Sequence, residues 1–175
     1  MNPTDAIRPA HVEVSLGAIA QNYDAIRAHV GTASVMPVVK ANAYGHGIVE
    51  VARHLMNHGA PCLGVALLEE AIVLRQAGIT LPILVFGGVA TRQIPQFIAH
   101  DLMMAASSID KLRQIDEAAA AVKTKARVHL KIDTGMERIG VHWYNAEKLQ
   151  EASLSFTNVE VAGIYSHFAN SDSAD

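Results

Sequence analysis

The chain has 175 residues, half of them apolar, with 14 Lys plus Arg against 17 Asp plus Glu. This length and composition indicate one globular domain with a sizeable core, and the net charge of −3 gives no electrostatic reason to expect nucleic acid or an anionic membrane as a partner. The sequence has no run long and apolar enough to span a membrane, no signal-peptide core and only one cysteine, so we expect a cytoplasmic protein without an internal disulfide.

The first pattern along the chain is an alternation of polar and apolar residues in HVEVSL, residues 11–16. It predicts a strand of a separate β element, and we assign residues 1–16 to that segment. The remaining residues, 17–175, alternate between helical periodicity and short apolar runs typical of strands buried on both faces. Helices are predicted at 17–29, 48–58, 68–77 and 109–122, and strands at 34–40, 62–66, 82–86, 102–106, 126–133 and 159–167.

Helix boundaries are indicated at two of these positions. Gly78 stands where a left-handed residue commonly ends a helix, and Ser107 and Asp110 have the spacing of a capping box. The βα repetition fits either an open doubly wound sheet or a (β/α)₈ barrel. We count about six strands in the repeats, whereas a complete barrel takes about 250 residues, so a barrel would be partial here.

Ionisable residues collect where the predicted strands end. Lys40 follows Val38 and Val39 directly, Lys131 and Asp133 end the run at 126–133, Arg138 follows in a glycine-flanked loop, and His167 ends the last run. Functional groups in parallel α/β folds gather at the carboxyl ends of strands, so we expect these residues to form a site.

Each of these residues also has a purely structural interpretation. Lys40 could extend to solvent, Tyr44 could be a half-buried loop aromatic, and Lys131 could belong to a solvated strand end. Arg138 could pair with Glu137 or Asp133 on the surface, and His167 could be a buried histidine with its hydrogen bonds satisfied. His54 and His58 have the spacing of a helical metal pair but lack the intervening glutamate and an obvious third ligand, so we interpret them as a helix surface feature and expect no metal.

Three motifs resemble those of the alanine racemases, which use pyridoxal 5′-phosphate (PLP) on a TIM-type barrel. They are VVKANAYGHG (38–47), LKIDTGMERIG (130–140) and GIYSHFANSD (163–172), in the family's order and spacing. The opening RPAHVEVSLGAIAQNY (8–23) is similar to the family's N-terminal segment. One departure is Glu137, where the family more commonly has glycine. Family members are longer, and their last barrel strands, C-terminal β domain, pyridine-facing arginine and partner-donated catalytic tyrosine have no counterpart in these residues.

The resemblance implies a role for each candidate residue. Lys40 would bind PLP covalently and act as the base on one face of the substrate carbon, for which an apolar neighbourhood that favours the neutral amine is expected. Tyr44 would bind the cofactor phosphate, and His167 would lie against the cofactor ring. Arg138 would lie near the phenolic oxygen of the cofactor and bind the substrate carboxylate. Lys131 matches a lysine that is often carbamylated and would then orient Arg138.

The implied activity is interconversion of L- and D-alanine for peptidoglycan precursors, by a homodimer when the protein is full length. Two alternatives remain at the level of the sequence. One is a related PLP-dependent racemase acting on serine, lysine or several amino acids. The other is a cofactor-binding fragment without turnover, because the second acid/base is missing from these residues.

Overall fold

Helices and parallel strands alternate in the computed structural model, which describes residues 11–173. None of the helices in these residues is long and apolar enough to cross a membrane. The helices are α1 (Leu16–Val30), α2 (Lys40–Tyr44), α3 (Ile48–Asn57), α4 (Leu68–Gln76), α5 (Ile94–Ala99), α6 (Ile109–Ala121) and α7 (Ala146–Ser153). The strands are β1 (Leu63–Val65), β2 (Ile83–Val85), β3 (Met103–Ala106), β4 (Ala126–Asp133), β5 (Val141–His142) and β6 (Val159–Tyr165).

The strands pair in parallel and in chain order. The sheet runs β1-β2-β3-β4, β6 lies on β4, and the two-residue β5 pairs with the end of β4. Before β1, Val38 forms a single parallel bridge to Gly64. A doubly wound sheet reverses its strand order at a switch point, whereas a barrel adds each strand beside the previous one. The order therefore confirms the expected partial (β/α) barrel.

The hydrophobic core lies between the sheet and the helices that cover it. Val128 and Leu130 of β4 and Leu112 and Ile115 of α6 are all fully buried. Each aliphatic side chain buried in this way contributes about 1.5–3 kcal/mol relative to an exposed one. Because side chains alternate across a strand, the residues of β4 that alternate with these core positions, including Lys131, face the other side of the sheet.

The predicted strand at 11–16 is wrong. Residues 11–15 form no regular structure, and Leu16 begins α1 behind Ser15, whose side chain accepts a hydrogen bond from the Ala18 backbone at 3.2 Å. An alternating stretch becomes a strand only with a neighbour to pair with, and none of the described residues pairs with this one. Residues 1–10 of that predicted segment lie outside the described residues.

The predicted strand at 34–40 is reduced to one bridge. Pro37 in its middle has no backbone N–H to donate, although its carbonyl accepts from Gly64 at 2.9 Å. The segment therefore takes the place of a strand beside β1 without forming a ladder.

The other predicted strands and helices are confirmed within one or two residues. The cap of α6 is one residue later than predicted, since Ser108 rather than Ser107 accepts the hydrogen bond from Lys111 N, at 3.0 Å. The short helices α5 and α7 were not predicted.

Candidate active site

A cavity of about 620 Å³ lies at the carboxyl ends of the strands. The five residues to which the sequence assigned roles all line it, although they come from segments that are far apart in the chain. Phe86, Gly87, Gly88 and Tyr165 complete much of the wall. The five residues with assigned roles are Lys40, Tyr44, Lys131, Arg138 and His167. The fold thus brings the three motifs to one site.

Lys40 begins a tight left-handed turn. Residues 41–44 all have positive φ, between 52° and 55°, although none of them is glycine. Left-handed helical conformation costs about 1–2 kcal/mol per residue for ordinary side chains, and strain of this kind is often found at functional sites. The turn closes through a hydrogen bond from Ala43 N to Val39 O at 2.9 Å.

The same turn sets the position of the Lys40 side chain. Val39 is buried, whereas Lys40 itself is half-buried, so the lysine is not enclosed by its valine neighbours as the sequence suggested. Its Nζ lies 6.0 Å from the centre of the Tyr44 ring, and Tyr44 is 60% exposed. The amine and the phenol therefore project together into the open side of the cavity.

Lys131 is the most buried of the five residues, with 4% of its surface exposed. Its Nζ donates a hydrogen bond to the carbonyl of Ile132 at 2.9 Å and lies 5.2 Å from the centre of the Tyr165 ring. Burial lowers the pKa of the Lys131 amine, the nearby Asp133 carboxylate opposes this shift, and the Arg138 charge adds to it. The interpretation of Lys131 as a solvated strand terminus is therefore wrong.

Asp133 organises the loop that carries Arg138. Its carboxylate accepts backbone hydrogen bonds from Gly135 at 2.8 Å, Glu137 at 3.1 Å and Arg138 at 3.2 Å. These hydrogen bonds, led by those from Gly135 and Glu137, hold the pKa of Asp133 below its usual value. Asp133 does not line the cavity, so it acts on the site through the loop.

Arg138 is exposed at the cavity wall and makes no side-chain ion pair within residues 11–173. The alternative pairing with Glu137 or Asp133 is therefore wrong. Glu137 instead places its carboxylate 3.5 Å from His142 Nδ1. Glu137 also has a φ of 56°, a conformation that glycine adopts without strain and other residues adopt at a cost.

His167 is exposed, so its interpretation as a buried histidine is wrong. Its Nδ1 lies 2.8 Å from the carbonyl oxygen of Phe168. The neighbouring Ser166 Oγ lies 2.5 Å from Thr134 Oγ1, which ties the end of β6 to the end of β4. This link brings the second and third motifs side by side.

Sequence reasoning missed Tyr165 and the wall after β2. The Tyr165 hydroxyl donates to the carbonyl of Phe86 at 3.3 Å, the two rings lie 5.7 Å apart, and burial raises the pKa of the phenol. A Cβ on Gly87 would lie 2.4 Å from the carbonyl oxygen of Ala66, so only glycine fits there. Period-two alternation back from His167 would have placed Tyr165 on the same face, and the paired glycines after β2 marked its end.

The histidine pair of α3 lies away from this cavity. The rings of His54 and His58 stack at 6.1 Å, and His58 Nε2 lies 2.9 Å from the carboxylate of Asp24 in α1. Among residues 11–173, no group of three or more His, Cys, Asp or Glu is arranged to hold a metal ion. His58, the residue that follows α3, thus links this helix to α1.

The charges that line the cavity are of one sign. Lys40, Lys131 and Arg138 contribute cationic groups, and none of the described residues that line it is Asp or Glu. Such a wall favours anionic ligands, and Arg138 offers a forked donor that matches a carboxylate or phosphate. A cavity of this size and chemistry at the strand ends of a parallel barrel defines a barrel domain with a site suited to small anionic molecules.

The family comparison identifies the domain. The family model described as "Alanine racemase, N-terminal domain" matches residues 14–175, so the chain belongs to the alanine racemase family. Alanine racemase 2 of Caldanaerobacter subterraneus subsp. tengcongensis is 42% identical over 173 residues, which cover 98% of this chain and 45% of that protein. The chain spans less than half the length of this relative.

Solved structures agree with the family assignment. The Bacillus anthracis alanine racemase with bound L-Ala-P has a TM-score of 0.84 and 34% identity, over 96% of this chain and 45% of that one. A histidine racemase from Leuconostoc mesenteroides has a TM-score of 0.88 and 28% identity, over 97% of this chain and 46% of that one. The fold is therefore shared by racemases whose names carry different amino acids.

Proposed function

We propose that the full-length gene product that carries these residues is a PLP-dependent racemase that interconverts L- and D-alanine. The observation that carries this proposal is the single cavity in which Lys40, Tyr44, Arg138, Lys131 and His167 meet. The names of the relatives support alanine as the substrate, and the cationic wall suits both an amino-acid carboxylate and a cofactor phosphate.

The residues present fit PLP, which carries an aldehyde, a phosphate, a phenolic oxygen and an aromatic ring. Lys40 offers the amine that would hold the aldehyde carbon, and Tyr44 offers a hydroxyl for the phosphate. Arg138 would lie near the phenolic oxygen, and His167 would lie against the ring. The cavity volume of about 620 Å³ is within the range of small-molecule sites.

The bound cofactor would supply an electron sink for the charge that develops at the substrate α-carbon. Lys40 Nζ would remove or return the α-proton on one face, as a general base placed next to that carbon. Arg138 would hold the substrate carboxylate with two parallel N–H donors and so fix which face meets the lysine. The opposite face requires a second acid/base, which the family resemblance assigns to a tyrosine of the partner subunit.

Lys131 would react with carbon dioxide to form a carbamate, releasing a proton. Its lowered pKa supports this role, because only the neutral amine is nucleophilic. The modification would replace a buried cation with an anion beside Arg138, and the ion pair would then orient the guanidinium.

We further propose that the protein acts as a cytoplasmic homodimer that supplies D-alanine for peptidoglycan, in keeping with this activity.

The test uses the full-length gene product loaded with PLP. D-alanine formed from L-alanine is measured by chiral chromatography, and the cofactor is fixed with borohydride and located by peptide mass spectrometry. We expect turnover, and adduct on Lys40. In Lys40→Ala we expect turnover to fall by about a hundredfold or more, since a positioned general base contributes about 10²–10⁴. Lys148→Ala, on the exposed surface of α7, is the control and should retain both signals.

The same assay with serine, lysine and histidine decides the substrate. Faster turnover of any of these than of alanine would overturn the assignment of alanine while leaving a racemase. Adduct at a lysine other than Lys40 would overturn the assignment of the cofactor site.

A further inference from the structure

Glu70 connects the turn that carries Lys40 to a second wall of the cavity. It lies in the first turn of α4, and its Oε2 accepts backbone hydrogen bonds from Ala66 at 2.8 Å and Leu67 at 3.0 Å. Its other carboxylate oxygen, Oε1, accepts from the backbone N–H of Ala41 at 2.6 Å. One half-buried carboxylate thus binds three backbone donors from two segments 25 residues apart in the chain.

The two oxygens of Glu70 serve different purposes. The bonds to Oε2 are those of an acidic residue that caps the start of its own helix. The bond to Oε1 leaves the helix and reaches the residue directly after Lys40. Helix capping alone does not require this third bond.

The turn needs an anchor of this kind. Residues 41–44 hold four successive left-handed conformations without a glycine, and such strain persists only where surrounding contacts impose it. The other hydrogen bonds that residues 41–44 make in the described structure come from residues 39–48, a continuous stretch of chain that ends at Ile48, the first residue of α3. Glu70 provides the hydrogen bond that fixes the turn to a segment distant in the chain, the start of α4.

We propose that Glu70 is a positioning residue for Lys40. Its carboxylate holds α2 against the loop between β1 and α4, and so aims the Lys40 amine and the Tyr44 phenol into the cavity. Ala66 and Leu67, its other partners, line the same cavity, so one side chain sets the distance between two walls. The role of the amine in binding PLP rests on the proposed function, whereas the anchoring of the turn does not.

Glu70→Gln separates anchoring from capping. Glutamine also serves at this position of a capping box, and its amide oxygen can accept the bonds of Ala66 and Leu67. The amide NH₂ would then face the Ala41 N–H, donor against donor, and the anchor would be lost. Glu69→Gln is the matched control, because Glu69 is exposed, carries the same charge and lies in the same helical turn. Glu70→Asp is a second variant that keeps the charge but has a shorter reach.

The experiment uses the full-length gene product and three readouts. Amide hydrogen exchange is followed separately in peptides covering residues 40–47 and α4, borohydride-fixed PLP on Lys40 is quantified, and kcat and KM are measured. In Glu70→Gln we expect exchange in 40–47 to accelerate about tenfold or more, the order expected from losing a hydrogen bond to a charged group, with α4 nearly unchanged. The adduct on Lys40 and kcat should fall together, while Glu69→Gln matches the wild type. In Glu70→Asp, all of these readouts should lie between those of the wild type and those of Glu70→Gln.

Three outcomes decide the proposal. Wild-type exchange in 40–47 and wild-type adduct yield in Glu70→Gln would overturn it. Equal acceleration in α4 and in 40–47 would reduce Glu70 to a helix cap and would also overturn it. If the wild type itself forms no adduct on Lys40, the proposed function fails, and the exchange comparison alone then decides whether Glu70 anchors the turn.

Discussion

At the scale of single residues, the second motif separates two tasks between neighbouring side chains. Asp133 is buried and uses its carboxylate on backbone donors, which shapes the loop. Arg138, presented by that loop, keeps its guanidinium without an ion pair among the described residues and therefore available to a ligand. Its position at the cavity wall, with a forked donor that matches a carboxylate or phosphate, suits it to bind an anionic ligand there.

Arg138→Lys tests the forked donor. Lysine keeps the charge but cannot make two parallel hydrogen bonds to a carboxylate. We expect kcat/KM for alanine to fall by an amount equivalent to about 1–3 kcal/mol of transition-state stabilisation, measured in the full-length gene product. The control is Arg113→Lys on the exposed face of α6. An unchanged kcat/KM in Arg138→Lys would place this residue outside the site.

Asp133→Asn tests the loop anchor through pH. The folded-state pKa of Asp133 is lowered below its ordinary value of 3.8 by the backbone donors. Its contribution to stability is therefore fully present above about 3.8 and is lost as the pH falls through the lower, folded-state pKa. We expect the free energy of unfolding of Asp133→Asn to lie below that of the wild type at pH 7, and the difference to narrow as the pH falls below about 3.8.

Urea unfolding of the full-length gene product at pH 7, 5 and 3 measures this difference. Asp110→Asn, which alters an exposed carboxylate in the first turn of α6, serves as the control. A difference for Asp133→Asn that stays constant across the series would contradict the anchoring role.

At the scale of elements, one arginine of α4 organises the opposite end of the barrel. The Arg75 guanidinium donates four hydrogen bonds to backbone carbonyls that precede β2 and β3, at 2.7–3.0 Å. Burial lowers the pKa of this guanidinium, with smaller effects from neighbouring charges. Its carbonyl partners belong to Ile79, Leu81, His100 and Asp101.

Arg75→Ala should destabilise the protein by about 2–3 kcal/mol, because several carbonyls lose a charged donor at once. Arg113→Ala on the surface of α6 removes ion pairs that are exposed, and should cost less than about 1 kcal/mol. Urea midpoints at one fixed protein concentration measure both variants. An equal loss of unfolding free energy in the two variants would show that the four hydrogen bonds of Arg75 stabilise the protein no more than an exposed ion pair does.

The elements also show what the sequence could predict. β4 was predicted with its observed bounds, because eight residues of strand-forming sequence lie between clear turn signals. The left-handed turn at 41–44 could not be predicted from Ala, Asn, Ala and Tyr, since only Asn among these residues adopts that conformation readily, and then as a single residue rather than within a run of four. The bond between Glu70 and Ala41 spans 29 residues and depends on how two loops meet, which the local pattern of neither loop contains.

At the scale of the whole molecule, the sheet has an open side at β6. Within the described residues β6 pairs only with β4, and its Val161 and Ile164 are 39% and 54% exposed. A second cavity, of about 530 Å³, lies along this side and is lined by both residues and by Phe156. Parallel sheets are normally covered on both faces, and an exposed strand edge invites pairing with another chain.

A polypeptide limited to these 175 residues should therefore racemise alanine at less than about a tenth of the full-length rate. The open side at β6 leaves apolar surface in water, and each Å² that stays exposed forgoes about 25 cal/mol of hydrophobic stabilisation. It also admits water to the candidate active site, where water weakens each polar contact. Lys40 would serve one face of the α-carbon, and proton return on the other face would depend on solvent. D-alanine formation by the purified polypeptide with PLP is compared with the full-length gene product, and its association state is followed by light scattering. We expect association through the exposed edge, and turnover within tenfold of the full-length protein would show that copies of this domain rebuild a working site together.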